Sequence, residues 1–367
     1  MAKIARIEVI PYSVPIEGFA DAYTAFTASN AVLIKLETDE GIVGFGESCA
    51  WEPEFYGETV ESVTSTLEKY IAPKLLGKDP LQLHVLLATV DAALARVTCV
   101  KEGVDLALHD LAGKLLGVPA YVLLGGAFRD RILVASEIGI ASPEEMADNA
   151  LRLRKLGFRV IKVKGSADAR TDVLRVQAVR EAVGPSVALR LDPNAAWKTI
   201  DAIWAMRRLE ACDLELLEQP IPGDDYEGMA HIRNHTNVPL MADEGIWTPQ
   251  DVLRIRNVGA ADIVNIKIAK SCGLARGKHI QMVADAAGLL SLVGTEIEPG
   301  FSLVAKLHLA ASFPRHDLAS EFTELSLLKK NVLRWKPEIV DGMLRVPQGP
   351  GLGVELDEEV LDACRLR

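Results

Sequence analysis

Short apolar runs recur through the middle of the chain, and several of them end in a charged residue. The runs VIKVK, ALRLD, LELLE, PLMAD and IVNIK end at Lys164, Asp192, Glu218, Asp243 and Lys267. Successive charged residues are 28, 26, 25 and 24 positions apart. Each interval is about the length of one strand, one helix and two short connections. The pattern predicts one charged side chain at the carboxyl end of each of five consecutive parallel strands.

Strand patterns and helical patterns alternate from about residue 131 onward. The strand candidates are ILVASE, FRVIKVK, VALRLD, LELLEQ, PLMADE, DIVNIK, LLSLVG and DLASEF. The segments between them, such as PEEMADNALRLRKLG, are amphipathic and begin with Ser, Thr or Asp caps. Eight strands with intervening helices predict an α/β fold, a closed parallel barrel over residues 128–335.

Residues 1–127 show a different pattern. Residues 3–12 and 30–37 are rich in Ile and Val and predict strands, and IVGFGE after a DEG turn predicts a third strand. Helical patterns follow, so this part is expected to form an α+β domain that ends near LLGG. The Gly- and Pro-rich tail, residues 336–367, is expected to pack back on this first domain.

Composition and charge narrow the class of protein. The chain has 367 residues, of which 49% are hydrophobic and 25% charged, as in ordinary globular proteins. A net charge of −11 without a basic block argues against nucleic acid or an anionic membrane as the partner. The N-terminus lacks the apolar core of a signal peptide, and no 18-residue apolar run predicts a spanning helix. Five scattered cysteines favour buried reduced thiols and a cytoplasmic location.

The three acids of the repeating pattern predict a cation site. Any one of Asp192, Glu218 and Asp243 could equally be a helix cap or a solvated loop residue. Three of them in register, each after a strand, indicate a bound cation, because clustered carboxylates destabilise one another without positive charge. Hard oxygen ligands favour Mg²⁺, with Mn²⁺ as the alternative.

The lysines of the pattern suit proton transfer. Lys164 and Lys267 fall on the second and sixth strands, which oppose each other in an eight-stranded barrel. Lys162 lies two residues before Lys164, so both point to the same side of the strand, either into the barrel or into solvent. Lysines on both sides of a cation suit removal of a proton beside a carboxylate, with the metal holding the enediolate. Lys162 and the metal are expected to lower the pKa of Lys164.

These motifs resemble those of the enolase superfamily, in its muconate-lactonizing subgroup. IKVKG is similar to the K-x-K motif, NIKIAKSCG to the segment of the opposite lysine, and RLDPNAAW, LEQP and ADEG to the segments of the metal ligands. VDLALHDLAGKLLGVPAYVLLGG resembles the helix that closes the capping domain. The resemblance implies a (β/α)₇β modified TIM barrel with an N-terminal α+β capping domain, and a homo-oligomer.

The resemblance also assigns roles to residues. It implies Lys164 as the base, Lys162 as its supporting lysine and Lys267 as the acid/base on the opposite face. It implies that Mg²⁺ is bound by Asp192, Glu218 and Asp243. Substrate contacts are expected from two capping loops, about 17–29 and 51–58, and from the barrel; the candidates are Glu298, Glu321, Asn194, Phe19 and Tyr23.

Three functions fit these residues. The first is a muconate-cycloisomerase-like, Mg-dependent isomerase that removes the proton alpha to a substrate carboxylate through a metal-stabilised enediolate. The second is an N-acylamino acid racemase or dipeptide epimerase that uses Lys164 and Lys267 as bases on two faces. The first capping loop carries acids and aromatics but no Lys, Arg or His, which suits a neutral or cationic substrate better than the muconate dianion.

The third is a metal-independent enzyme that forms a Schiff base on a barrel lysine. The first two act on a small-molecule carboxylate.

Overall fold

Three antiparallel strands open the chain in the computed structural model, which describes residues 2–50, 52–315 and 318–366. The strands are β1 (Ile4–Ala20), β2 (Ala25–Thr38) and β3 (Val43–Cys49). The first two are longer than predicted, so most of the expected loop 17–29 is the tip of the β1–β2 hairpin, beyond a register shift between Pro15 and Phe19. Trp51 of the second expected loop lies outside the described residues, as do Met1 and Arg367.

Within the described residues, six helices complete the first domain, which we call the cap. They are α1 (Pro53–Tyr56), α2 (Val60–Thr66), α3 (Ala72–Leu75), α4 (Leu83–Ala93), α5 (Thr98–Leu116) and α6 (Ala120–Leu123), with a π-helical turn at Leu67–Ile71 between α2 and α3. Every residue of α5 from Cys99 to Gly113 is buried. The helix packs on β3 and also contacts barrel helices, so its apolar residues are buried on several sides. Its buried carboxylates, such as Asp105 and Asp110, accept hydrogen bonds from other elements.

Glycines allow β3 and α5 to touch. A Cβ atom at Gly46 would lie only 2.0 Å from the carbonyl oxygen of Gly103. No real Cβ fits at that distance, so the glycines of IVGFGE allow close packing of a strand on a helix. The segment was predicted to be a strand in a hairpin, and it is one.

In the part of the chain that the structure describes, eight parallel strands form the barrel. They are β4 (Arg131–Ile138), β5 (Val160–Lys164), β6 (Ala188–Asp192), β7 (Leu214–Glu218), β8 (Leu240–Ala242), β9 (Ile263–Ile266), β10 (Leu290–Val293) and β11 (Ser320–Glu321). The seven helices between them are α7 (Pro143–Lys155), α8 (Ala169–Val183), α9 (Thr199–Arg208), α10 (Tyr226–Arg233), α11 (Pro249–Val258), α12 (Leu274–Ala286) and α13 (Phe301–Ala311).

The strands from β4 to β10 pair in chain order, and β11 pairs with β4 to close the circle. The gap between β10 and β11 is bridged by the backbone N–H of Val293, which donates to Ser320 Oγ at 3.0 Å. The (β/α)₇β barrel with an α+β capping domain is therefore confirmed.

The tail returns across the molecule. After the short helix α14 (Glu324–Leu327) that follows the barrel, the tail contains β12 (Ile339–Val340), β13 (Met343–Arg345) and α15 (Glu358–Asp362). β13 pairs antiparallel with β4. Farther along, the Leu352 N–H donates to Asp110 of α5 at 2.7 Å, and the Ser13 N–H of β1 donates to the Cys364 carbonyl at 2.9 Å.

Two buried carboxylates of the cap accept hydrogen bonds from barrel helices. Glu47 accepts from the backbone N–H groups of Gly300 and Phe301 at 3.2 and 2.9 Å, at the start of α13. Asp105 accepts from the Leu274 N–H at 2.7 Å, at the start of α12. Helix N-termini have unpaired N–H groups and favour negative charge, so these contacts bind the cap to the barrel. None of the helices in the described ranges is long and apolar enough to cross a membrane.

Candidate active site

The five charged residues of the sequence pattern meet at one end of the barrel. Lys164, Asp192 and Glu218 are the last residues of β5, β6 and β7, while Asp243 and Lys267 directly follow β8 and β9. Lys164 and Asp192 are register partners across neighbouring strands. All five side chains are buried. Because the carboxyl ends of parallel strands share one edge, regular spacing along the chain becomes proximity in space.

Lys162 lies at the centre of the buried charges. Its Nζ is 2.6 Å from Glu137, 2.8 Å from Glu218 and 2.9 Å from Glu321. Burial lowers the pKa of Lys162, but the carboxylates of Glu137 and Glu218 raise it more, so the net shift is well upward. Lys162 is therefore a permanent ammonium that balances the acids around it.

Lys164 and Lys267 each contact a predicted metal ligand. Lys164 Nζ lies 2.8 Å from Asp192 Oδ2, and Lys267 Nζ lies 3.0 Å from both Asp243 Oδ2 and Glu296 Oε1. Burial and Lys162 lower the pKa of Lys164, but Asp192 and Glu137 raise it and determine the direction. In this arrangement the carboxylates therefore raise the pKa of Lys164. The expected lowering included the charge of a bound metal, and it stays a prediction.

The three acids have the chemistry of a divalent-cation site. Burial and the charge of Asp192 raise the pKa of Glu218 well above its usual value, which shows that these carboxylates repel one another. No three His, Cys, Asp or Glu side chains in the described part of the chain are grouped closely enough to hold a metal ion as they stand. Each acid instead contacts a lysine. Three buried carboxylates on adjacent strand ends nevertheless fit the oxygen preference of Mg²⁺ or Mn²⁺.

A small cavity lies between these strand ends and the cap. It is lined by Phe19, Asp21, Tyr23, Glu52, Phe55, Glu137, Lys164, Asn194, Glu244, Lys267, Thr295, Glu296 and Ile297. Its volume is about 20 Å³, which is room for a water molecule and not for a substrate.

Several of the predicted site residues line this cavity together. They are Lys164, Lys267, Asn194, Phe19 and Tyr23. The Tyr23 hydroxyl donates to Glu244 Oε1 at 3.0 Å, and the Asn194 N–H donates to Asp192 Oδ1 at 2.9 Å. The hairpin tip of the cap and the strand ends of the barrel thus form one site.

Two other candidates lie outside the cavity lining. Glu321 contacts Lys162 from within the barrel, and its exposed fraction is 0%. Glu298 is equally buried and lies 2.6 Å from Lys306 Nζ. Both carboxylates have a lysine partner and neither lines the cavity in this structure, so their role in substrate binding stays a prediction.

Sequence reasoning missed several charged residues of the site. Glu137 lies near the end of ILVASE, 27 residues before Lys164, so the same strand-end signal could have identified it. Lys270 donates to the carboxylate and the backbone carbonyl of Asp243, and its spacing of three from Lys267 was a weaker signal. Glu52 lies in the expected capping loop 51–58 but was not singled out, and Glu296 does not end a strand, so the strand-end signal marks neither.

Comparison with known families covers most of the chain. Residues 5–125 match the mandelate racemase/muconate lactonizing enzyme N-terminal domain, and residues 145–360 match the enolase C-terminal domain-like family. Among curated proteins, N-succinyl-L-Arg/Lys racemase of Bacillus cereus is 33% identical over 362 residues, which are 98% of this chain and 97% of the relative. Muconate cycloisomerase 1 of Rhodococcus opacus is 34% identical over 363 residues, again 98% of this chain and 97% of the relative.

A solved structure gives the same result at the level of the fold. The dipeptide epimerase of Cytophaga hutchinsonii, complexed with Mg and the dipeptide D-Ala-L-Val, superposes with a TM-score of 0.93 at 28% identity. The match covers 99% of this chain and 98% of that one. The chain therefore belongs to the mandelate racemase/muconate lactonizing enzyme family of the enolase superfamily, in its muconate-lactonizing subgroup, and is an isomerase.

Proposed function

We propose that this isomerase is a Mg²⁺-dependent racemase or epimerase that moves the proton on the carbon alpha to a substrate carboxylate. One observation carries the proposal. Lys164 and Lys267 come from β5 and β9, which oppose each other in the barrel, and both line the same cavity. A carbon held between two lysines can lose its proton to one and gain a proton from the other.

Asp192, Glu218 and Asp243 would hold the cation. A divalent cation there supplies positive charge that stabilises the negative charge developing on the substrate carboxylate. The Mg bound with a dipeptide in the relative from Cytophaga hutchinsonii supports this assignment. In this chain, Asn194 and Lys270 support two of the three ligands through hydrogen bonds to Asp192 and Asp243.

The proton balance follows from the two lysines. One lysine begins as a neutral amine and takes the α-proton, becoming an ammonium. The other begins as an ammonium and gives its proton to the opposite face of the same carbon. The reverse reaction exchanges the two roles. Lys162 stays an ammonium throughout, because four carboxylates lie within 3.3 Å of its Nζ.

A muconate-type cycloisomerase is the second candidate, and the sequence alone placed it first. Its support is the 34% identity to a muconate cycloisomerase. The cavity favours the racemase or epimerase instead, since five carboxyl side chains line it and would repel the second carboxylate of a muconate.

Proton exchange in D₂O tests the proposal. Single enantiomers of N-acylamino acids, dipeptides and amino acids, together with muconates, are incubated with Mg²⁺, and α-proton exchange is followed by NMR. Wild type should exchange and interconvert the enantiomers of its substrate. Lys164→Ala and Lys267→Ala should each abolish interconversion, with losses of about 10³-fold or more.

The two single variants also separate the candidates. Under two-base chemistry, each variant retains exchange for only one enantiomer, and the retained enantiomer differs between them. Loss of all turnover in Lys164→Ala with normal product formation in Lys267→Ala would instead indicate the cycloisomerase. Lys155→Ala, an exposed lysine of α7, is the control. Activity that survives EDTA, with borohydride trapping on Lys164, would establish the Schiff-base alternative and overturn the metal proposal.

A further inference from the structure

The cavity wall has more negative than positive groups. Two lysines line it, Lys164 and Lys267, against five carboxyl residues: Asp21, Glu52, Glu137, Glu244 and Glu296. Glu137 contacts Lys162, and Glu296 contacts Lys267. Glu244 accepts from the hydroxyl of Tyr23, a neutral donor. The remaining two, Asp21 and Glu52, belong to the cap, and neither forms an ion pair within the described residues.

Glu52 is the more informative of the two. Its exposed fraction is only 8%, and it faces the cavity. Across the described ranges of the chain, no N–H or O–H group donates a hydrogen bond to its side chain, and its carboxyl contacts another carboxyl, that of Glu296. The charge of Lys267 acts on Glu52 as well, but the Lys267 ammonium is already in contact with Asp243 and Glu296. Three acids thus share one cation, and a cationic group that entered the cavity would be stabilised here.

Asp21 presents a free oxygen at the hairpin tip. Its Oδ1 accepts the N–H groups of Tyr23 and Thr24 at 2.8 and 3.0 Å, which holds the carboxylate in place. Its Oδ2 has no partner among the residues that the structure describes. The turn therefore positions a negative charge at the cavity without neutralising it.

Aromatic rings surround these two acids. Phe19, Tyr23 and Phe55 line the same cavity, and the rings of Tyr23 and Phe55 meet edge to face at 6.0 Å. Lys267 Nζ already lies 5.7 Å from the centre of the Phe55 ring. Aromatic faces together with carboxylates bind ammonium groups, including alkylated ones, through cation–π attraction and charge.

We propose that the substrate is a zwitterion whose cationic nitrogen, an ammonium or N-alkylammonium, is bound by Asp21 and Glu52 beneath the aromatic rings of the cap. This inference rests on the proposed function, because the substrate carboxylate is assigned to the barrel end of the cavity and the nitrogen to the cap end. Glu321 and Glu298 contact Lys162 and Lys306 instead, and neither lines the cavity. Asp21 and Glu52 are thus specificity-determining residues.

Matched substrate pairs test the inference. Amino acids and dipeptides with a free or N-alkylated amine are compared with their N-acetyl derivatives and with dicarboxylates, using α-proton exchange with Mg²⁺ in D₂O. The cationic member of the best pair should have a kcat/KM about 100-fold above its acetylated counterpart. Asp21→Asn and Glu52→Gln should each raise KM for it about tenfold or more, with kcat within about twofold.

Binding provides a second readout that does not depend on turnover. In the Lys164→Ala/Lys267→Ala variant, calorimetric titration with the cationic member should show affinity that falls when Asp21→Asn or Glu52→Gln is added. Affinity for the acetylated member should not change. Glu54→Gln, an exposed neighbour on α1, is the matched control and should leave both affinities unchanged.

The outcomes separate this inference from the proposed function. Faster exchange of an acetylated substrate or a dicarboxylate would overturn the zwitterion and leave the metal-dependent proton transfer standing. Equal KM values in wild type, Asp21→Asn and Glu52→Gln for a cationic substrate would overturn the assigned residues. A complete lack of exchange with every carboxylate, with Mg²⁺ or Mn²⁺, would refute the proposed function and this inference with it.

Discussion

Contacts between buried lysines and carboxylates fix the positions of the charged side chains at the barrel end. Lys162 shows this clearly, since its ammonium contacts acids from four different strands, β4, β6, β7 and β11. Removing one member of such a buried set leaves the others unpaired, which typically costs about 3–5 kcal/mol. The K-x-K motif therefore stabilises the barrel end as well as supplying a candidate base.

The buried side chain of His308 should make the free energy of unfolding depend on pH. It is fully buried in α13, and its Nε2 donates to the Leu352 carbonyl at 3.1 Å. Burial lowers the pKa of His308 to about 4. A depressed histidine pKa gives stability that is present above the unfolded value near 6.5 and is lost as pH falls toward 4. Wild type should lose about 2 kcal/mol between pH 7 and pH 5 relative to His308→Gln, which cannot titrate.

Urea unfolding at several pH values measures this difference. Glutamine at position 308 retains a donor for Leu352, so the hydrogen bond is matched between the two proteins. Parallel curves of unfolding free energy against pH would show that His308 does not titrate in this way.

Secondary-structure elements are joined by close approaches that depend on small residues. The strand β3 and the helix α5 meet at Gly46 and Gly103, and a Cβ at position 46 would also lie 2.4 Å from the backbone nitrogen of Ala107. These contacts are with backbone atoms, which cannot rotate away. Gly46→Ala should therefore destabilise the protein by about 1–3 kcal/mol through overpacking.

Gly18→Ala is the matched control for that prediction. Gly18 also lies in a strand, β1, but nothing lies within 4 Å of a Cβ built there. Gly18→Ala should change the free energy of unfolding, measured with urea, by no more than about 0.5 kcal/mol. Similar losses for both substitutions would mean that strand glycines, and not the contact with α5, determine the effect.

At the scale of the whole molecule, function depends on how the cap is attached to the barrel. The cap contributes Phe19, Tyr23 and Glu52 to the cavity, whereas the barrel contributes both lysines. Asp105 bonds the cap to α12 and also lies 3.0 Å from His109 Nδ1. A homo-oligomeric assembly and a cytoplasmic location remain predictions.

Asp105→Ala should loosen this attachment. It leaves the Leu274 N–H without a partner, so the free energy of unfolding should fall by about 1–3 kcal/mol. KM for the substrate should rise, because the cap residues lose their position over the strand ends. Urea unfolding and steady-state kinetics measure the two effects, with the exposed Asp148→Ala as the control. Unchanged KM together with reduced stability would assign Asp105 a purely structural role.

The sequence by itself determined the barrel and the strand-end charges, because strand periodicity and a regular repeat length are local properties that survive folding. The same signal would also have identified Glu137, which lies one residue before the end of β4. The hairpin tip was harder to predict from the sequence, because Pro15 and Gly18 interrupt the strand pattern before Phe19.

Only the tertiary structure determines which charged side chains contact one another. It paired Glu298 with Lys306 and Glu321 with Lys162, and it brought Glu52 and Glu296 together from segments far apart in the chain. Such pairings depend on distances across the barrel and between the two domains, which no local pattern contains. For this reason the sequence predicts the proton-transfer residues and an acidic capping loop, whereas the residues that would bind a substrate cation are proposed from the folded cavity.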